Sequence, residues 1–124
     1  MAAKGRPSAY SKALADRICT RLADGESLNA ICKDPKFPYK STVYRWLQSS
    51  KNKAFEDQYR RAREAGWEAR ADSLIDLPEE TVIHYFDEAG NKRIDSGSVQ
   101  LANVKSRNLM WLLSKHMKGV YGDK

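Results

Sequence analysis

The stretch Lys40-Ser-Thr-Val-Tyr-Arg-Trp-Leu-Gln-Ser49 decides the fold. Wound as a helix at about 100° per residue, it gathers Val43, Trp46 and Leu47 on one apolar side. Ser41, Arg45 and Gln48 point the opposite way, with Thr42, Tyr44 and Ser49 on the flanks. Ser41 suits the N-cap, where its hydroxyl would accept from an otherwise unpaired first-turn N–H. The outward residues are hydrogen-bonding types that read base edges and phosphates in a major groove. The stretch is therefore predicted to be the recognition helix of a helix-turn-helix, held on its domain by Val43, Trp46 and Leu47.

Upstream, Ser11 to Asp24 reads as a first helix. Leu14, Ile18 and Leu22 recur every four residues, with Ala15 and Cys19 beside them. Ser11 caps its start and Gly25 follows its end. Ser27 caps a second, short helix, about Leu28 to Lys33, that buries Leu28, Ile31 and Cys32. Asp34-Pro-Lys-Phe-Pro-Tyr39 is the turn, where two prolines forbid helix and Phe37 plugs into the core. The turn is longer than a usual helix-turn-helix connection and lacks a central glycine, so the plan is a variant one. Residues 1–9 carry Lys4 and Arg6 around Gly5 and Pro7. They read as a flexible basic arm, either a plain tail or one able to follow a minor groove.

Charge supports this placement. Residues 1–63 hold 14 Lys/Arg against 6 Asp/Glu, whereas residues 64–124 hold 8 against 10. A strongly basic first half suits a polyanionic partner. Lys33, Lys36, Lys40, Arg45, Lys51 and Lys53 are its expected phosphate contacts, with Lys4 and Arg6 from the arm. Ser41, Thr42, Tyr44 and Gln48 are expected at the bases and backbone.

Downstream, Lys53 to about Leu77 reads as one long helix ended by Pro78. Phe55, Tyr59, Ala62, Gly66 and Ala69 form a stripe with small residues that permit close helix approach. A small domain has no need of so long a helix, so these residues and Leu74 are assigned to oligomerisation. Thr81–Phe86, the turn residues Asp87–Asn91 and Lys92–Asp95 read as a β-hairpin. A last helix, capped by Ser96 or Ser98, runs to about Lys118. Leu101, Val104, Leu109, Leu112, Leu113 and Trp111 make it apolar on several sides. Leu101, Leu109, Leu112 and Leu113 complete the oligomerisation set. The fold class is mainly α. Its parts are an arm (1–9), a helix-turn-helix domain (10–51), an oligomerisation domain of two long helices joined through a hairpin (52–118), and a C-terminal segment (119–124).

No catalytic constellation stands out. There is no phosphate-cradling Gly-x-x-x-x-Gly-Lys loop. His84 and His116 lack partners at metal-ligand spacing, so no metal and no cofactor are expected. Cys19 and Cys32 read as buried small hydrophobes in a reducing compartment, with a disulfide or metal pair as the alternative. No apolar run approaches the roughly 18–20 residues of a membrane span, and Met1–Pro7 lacks the apolar core of a secretory signal. A dimeric helix-turn-helix transcriptional regulator, or the DNA-binding fragment of a transposase, would share the same first half.

Gly5-Arg-Pro-Ser8, Gly25-Glu-Ser-Leu28, Ile31-Cys-Lys33, Lys40–Leu47 and Tyr121-Gly-Asp-Lys124 together resemble the small terminase subunit of tailed bacteriophages. The resemblance is closest to those of short-tailed enterobacterial phages. It implies a homo-oligomeric ring of about eight to ten copies built from the two long helices, with the helix-turn-helix outside. It further implies a non-catalytic role in the host bacterial cytoplasm. There the ring would bind the packaging-initiation site of double-stranded viral DNA and recruit and regulate the large terminase subunit, the ATPase and nuclease. It carries a DNA-contacting role onto Lys40–Gln48. The chain departs from members with a longer C-terminal tail, and the resemblance is weaker over residues 78–100.

Overall fold

Ser11 and Ser27 set the first two helices in place. The Ser11 hydroxyl accepts from the Leu14 amide (3.1 Å) and opens α1, Lys12–Ala23. The Ser27 hydroxyl accepts from Ala30 (3.0 Å) and opens α2, Leu28–Ile31. Between them Gly25 adopts φ +104°, the left-handed conformation that ends a helix at least cost when no Cβ is present. In this computed structural model, which describes residues 5–121, α2 stops at Ile31, short of the expected Lys33. The turn that follows is tied by Asp34, which accepts from the amides of Lys36 (2.9 Å) and Phe37 (3.0 Å).

α3 spans Lys40–Gln48. Its N-cap is Tyr39 and no side chain caps it, so the expected Ser41 cap is corrected: Ser41 lies inside the first turn. The Pro38–Tyr39 segment already sets an extended backbone there, and the Tyr39 carbonyl accepts from Thr42 and Val43 (2.9 and 3.2 Å). A 3₁₀ turn, Ser50–Asn52, leads into α4, Lys53–Ser73. The Asn52 side-chain amide donates to the Trp46 carbonyl (3.2 Å) and closes the C-terminal end of α3.

The chain forms two compact units, divided after Ala69. The first has a contiguous core. It contains the α1 stripe, Leu28, Ile31, Cys32, Phe37, Val43, Trp46, Phe55 and Ala62. Ile18, Leu22, Ile31, Val43 and Phe55 are all but completely buried. Each contributes about 1.5–3 kcal/mol, against roughly 0–1 kcal/mol for an exposed ion pair such as Lys12–Asp16 (3.2 Å). Apolar packing therefore holds this unit.

Phe55, Tyr59, Ala62 and Gly66 belong to that packing. The expectation that they serve oligomerisation is corrected. Phe55 meets Tyr10, Trp46 and Tyr59 in edge-on ring contacts (centroids 5.7, 6.1 and 5.9 Å). Gly66 crosses the end of α1 so closely that a Cβ there would lie 2.3 Å from the Leu22 carbonyl oxygen. The helix-turn-helix domain therefore extends past residue 51 through the first part of α4. The two cysteines are buried and free.

The second unit is built differently. α4 ends at Ser73, and Pro78 does not stop a helix but stands in the first turn of a new one, α5, Leu77–Thr81. Proline's fixed φ and missing N–H fit that position. The hairpin pairs β1, His84–Phe86, with β2, Lys92–Ile94, antiparallel in the register Tyr85↔Arg93. Asp87 organises its turn by accepting from the amides of Ala89 (3.0 Å) and Asn91 (2.9 Å) and from Arg93 Nε (2.8 Å). Gly90 supplies φ +85°.

α6, Ser96–His116, is capped by Asp95 rather than by a serine. The Asp95 carboxylate accepts from the Ser98 amide (2.8 Å), while Ser98 Oγ donates to the Asp95 carbonyl (2.7 Å) and accepts from Ile83 N (2.8 Å). This knot ties the hairpin to α6, against which α5 packs. α7, Lys118–Tyr121, follows.

Among the described residues of this unit, the fully buried apolar side chains are Ala102 and Leu113 alone. Leu113 is thus interior rather than a surface for oligomerisation. Ten large apolar side chains stay exposed, from Ile75 through Phe86 and Leu101 to Trp111. Two interior residues against ten on the surface leave this unit without a core of ordinary size.

Candidate nucleic-acid interface

α3 shows two faces. Val43 and Trp46 are buried and Leu47 is half-buried against the core. Ser41, Tyr44, Arg45 and Gln48 are exposed. Thr42, expected at the interface, is 7% exposed and is withdrawn from it: its position in the first turn points it inward beside Val43. Lys33, Lys36, Lys40, Lys51 and Lys53 are exposed around the helix. Lys4 lies outside the described residues.

Arg6 is not on a loose arm. Its guanidinium donates to the Cys32 carbonyl and lies over the Tyr39 ring, 4.4 Å from the centroid. Two residues on, the Ser8 carbonyl accepts from Trp46 Nε1 (3.2 Å), and Tyr10 stands edge-on to Trp46 (5.4 Å). Residues 6–10 therefore lie across the base of α3. The physical reason is visible in the residue types: a buried indole N–H requires an acceptor, and an arginine face stacks readily on an exposed tyrosine.

A comparable arrangement seats the turn. Phe37 is buried beneath the guanidinium groups of Arg17 and Arg21 (5.7 and 5.1 Å from the ring centroid). Arg21 is in turn held by Glu26 (2.6 Å) and Asp34 (3.8 Å). The hydrogen bond from Arg21 holds the Glu26 carboxyl below its usual range.

Sequence reasoning missed Arg63. It lies one turn beyond Tyr59 on α4, half-buried. Burial pushes the Tyr59 phenol up, and the Arg63 guanidinium beside it pulls it back down; Tyr44 and Cys32 are close enough to add to the upward push. The signal was the i, i+4 spacing of Tyr59 and Arg63, which was hidden by assigning Tyr59 to an oligomer contact.

Among the described residues, no group of three or more His, Cys, Asp or Glu side chains could hold a metal ion. No helix among them is long and apolar enough to cross a membrane. The buried thiols are poorly suited to chemistry: burial, with a smaller push from Asp16, raises Cys19 to about 11.

A family model described as "Bacteriophage Sf6, terminase small subunit-like" matches residues 10–124. Comparison with curated proteins finds no match. Crystal structures of single-residue variants of the terminase small subunit gp1 of the bacterial virus Sf6 are similar throughout. One has 33% identity and a TM-score of 0.76. Two others have 33% and 32% identity with TM-scores of 0.77. Each alignment covers 95% of this chain and 81% of the other. Matched by the family model over nearly its whole length and by these structures in sequence and fold, the chain belongs to the Sf6-type terminase small subunit family, whose role is in phage packaging.

Proposed function

We propose that the chain is the DNA-recognition and scaffold subunit of a phage packaging motor. Many copies close into a ring of about eight to ten, present α3 to double-stranded viral DNA at the packaging-initiation site, and recruit and regulate the large terminase ATPase and nuclease. The protein itself is non-catalytic and works in the host bacterial cytoplasm.

The observation that carries the DNA part is the exposed face of α3. Ser41, Tyr44, Arg45 and Gln48 lie on one side, ringed by exposed lysines, while Val43 and Trp46 anchor the other. A single small module makes few contacts and binds weakly; many copies in one assembly supply affinity by avidity. The assembly part is supported by the second unit, whose apolar surface exceeds its interior. Leu74, Leu101, Leu109 and Leu112, exposed or half-buried there, remain in the proposed contact, joined by Val104, Phe86 and Trp111. Ala69 is half-buried at the end of the first unit.

Native mass spectrometry and DNA binding by fluorescence anisotropy test this together. The expected result is a closed oligomer whose Arg45→Ala variant assembles normally but binds duplex DNA more weakly. A monomer or dimer at micromolar concentration would remove the ring. Unchanged binding by Arg45→Ala at low salt would remove α3 as the contact.

A further inference from the structure

The second unit divides its charge in two. Residues 96–118, which contain α6, hold Lys105, Arg107, Lys115 and Lys118 and no Asp or Glu. Residues 71–81, from the end of α4 through α5, hold Asp72, Asp76, Glu79 and Glu80 and no Lys or Arg. All of these side chains are exposed. Among the described residues none of them forms an ion pair within the chain.

Each charged set surrounds exposed apolar surface. On α6, Val104 and Trp111 each stand two positions from a buried residue, Ala102 and Leu113. Two positions turn a helix by about 200°, so Val104 and Trp111 face away from the interior of their own unit. They are 50% and 61% exposed. Lys115 Nζ lies 5.4 Å from the Trp111 ring centroid, and Arg107 precedes Trp111 by one turn. The acidic set flanks Ile75, which is 84% exposed.

Beside Ile75 an apolar groove of about 270 Å³ opens, lined by Ala71, Leu74, Met110 and Leu113. Asp72 and Asp76 flank its Ala71 and Leu74 in the chain. Trp111 stands about 100° round α6 from Met110 and about 160° from Leu113, so a chain does not seat its own indole there. An apolar centre with a charged rim is the anatomy of a protein interface, and opposite rims select each other.

We propose that this groove receives Trp111 from a second copy of the chain, with that copy's Arg107 and Lys115 set against Asp72 and Asp76. The proposal rests on the reading of the protein as a ring and gives that ring a polarity. Giving and receiving surfaces differ, so the contact is head-to-tail. Every copy in an open chain of subunits then leaves a free surface at each end until the ring closes.

The experiment reverses each rim separately in the full chain and reads assembly by native mass spectrometry at micromolar concentration. Arg107→Glu with Lys115→Glu should abolish the ring, and so should Asp72→Lys with Asp76→Lys. Mixing the two variants should restore it, with the two chains in equal numbers, because each then meets only its opposite. Rings that survive either reversal, or a mixture that stays dissociated, overturn the proposal. An Arg107→Glu, Lys115→Glu protein that keeps its ring and loses duplex DNA assigns the α6 face to nucleic acid and overturns it as well.

The unsubstituted protein gives an independent reading. A carbodiimide joins amine to carboxylate without a spacer, and the linked peptides are read by mass spectrometry. A Lys115 peptide joined to one carrying Asp72 or Asp76 should occur in the covalent dimer and be missing from the covalent monomer. A wild-type ring without that link defeats this inference alone, whereas a wild-type monomer defeats the ring reading with it.

Discussion

Replacing Gly66 with alanine is expected to destabilise the protein, although helix propensity alone points the other way. Gly66 lies within α4, and Gly→Ala in a helix interior ordinarily gains about 1 kcal/mol. Here the added Cβ would stand 2.3 Å from the Leu22 carbonyl oxygen, with the Leu22 carbonyl carbon at 3.4 Å and the Gly25 Cα at 3.8 Å. The obstructing atoms are backbone. That oxygen is already committed to the Gly25 amide (3.0 Å) at the end of α1, so it has no rotamer by which to retreat. Overpacking costs about 1–3 kcal/mol, and an immovable neighbour puts this case at the upper end. After subtraction of the propensity gain, the net loss is about 2 kcal/mol, which lowers the melting temperature of a domain this size by roughly 10 °C. Thermal melting at fixed protein concentration measures it, because assembly makes melting concentration-dependent. Ala65→Gly, an exposed neighbour on the same helix, is the control and should lose about 1 kcal/mol from propensity alone. A Gly66→Ala protein that melts at or above the wild type would refute the close crossing of α4 over α1.

Four further outcomes are expected. Trp46→Ala removes the centre of the aromatic cluster and the donor to Ser8, and should cost roughly 3–5 kcal/mol of stability; an unchanged melt would mean that Trp46 is not buried. Arg6→Ala loses a guanidinium contact to Tyr39 and a hydrogen bond to Cys32, and should cost about 1–2 kcal/mol, a loss that an unstrapped arm would not show in chemical denaturation. Asp87, held below the ordinary carboxylate range chiefly by the hydrogen bond from Arg93, with the Asn91 amide next, should titrate below a free aspartate when followed by NMR of its carboxyl carbon. Because its folded pKa is depressed, its contribution to the hairpin is complete above the ordinary carboxylate range and is lost as pH falls through the folded value; a midpoint at or above that of a free aspartate would contradict the turn geometry. Cys19 and Cys32 should resist a thiol reagent at mildly alkaline pH until the protein is denatured, and rapid native labelling would place a thiol at the surface.

The sequence was legible where local chemistry and tertiary packing agree. The α1 stripe, the Ser11 and Ser27 caps, Gly25 and the buried side of α3 are all read from spacing and residue type, and the structure keeps them. The hairpin was legible from β-branched residues around Asp87–Asn91, though Thr81 went to a helix instead. The α4 stripe misled. Phe55, Tyr59, Ala62 and Gly66 have the same pattern whether they face a partner chain or their own domain, since helical periodicity states that a face is buried and not against what. Arg63 was hidden for the same reason. Thr42 was misplaced because a small polar residue next to Val43 tolerates burial in a first turn, and composition does not tell the two faces apart there. Pro78 misleads because proline follows the end of one helix and opens the first turn of another, and the residue type alone does not separate the two.

The strap across α3 changes what counts as the smallest transferable piece of this protein. A cassette cut at residues 10–51 would discard the Ser8 carbonyl that receives Trp46 and the Phe55 ring packed against it. It would leave an indole N–H without an acceptor and an open socket in the core. The piece that carries its own interior runs from Arg6 to Gly66, so grafting this binding head onto another scaffold means moving the first three turns of α4, and more, along with it. Modular exchange among such proteins is thereby confined to junctions beyond the α1–α4 crossing.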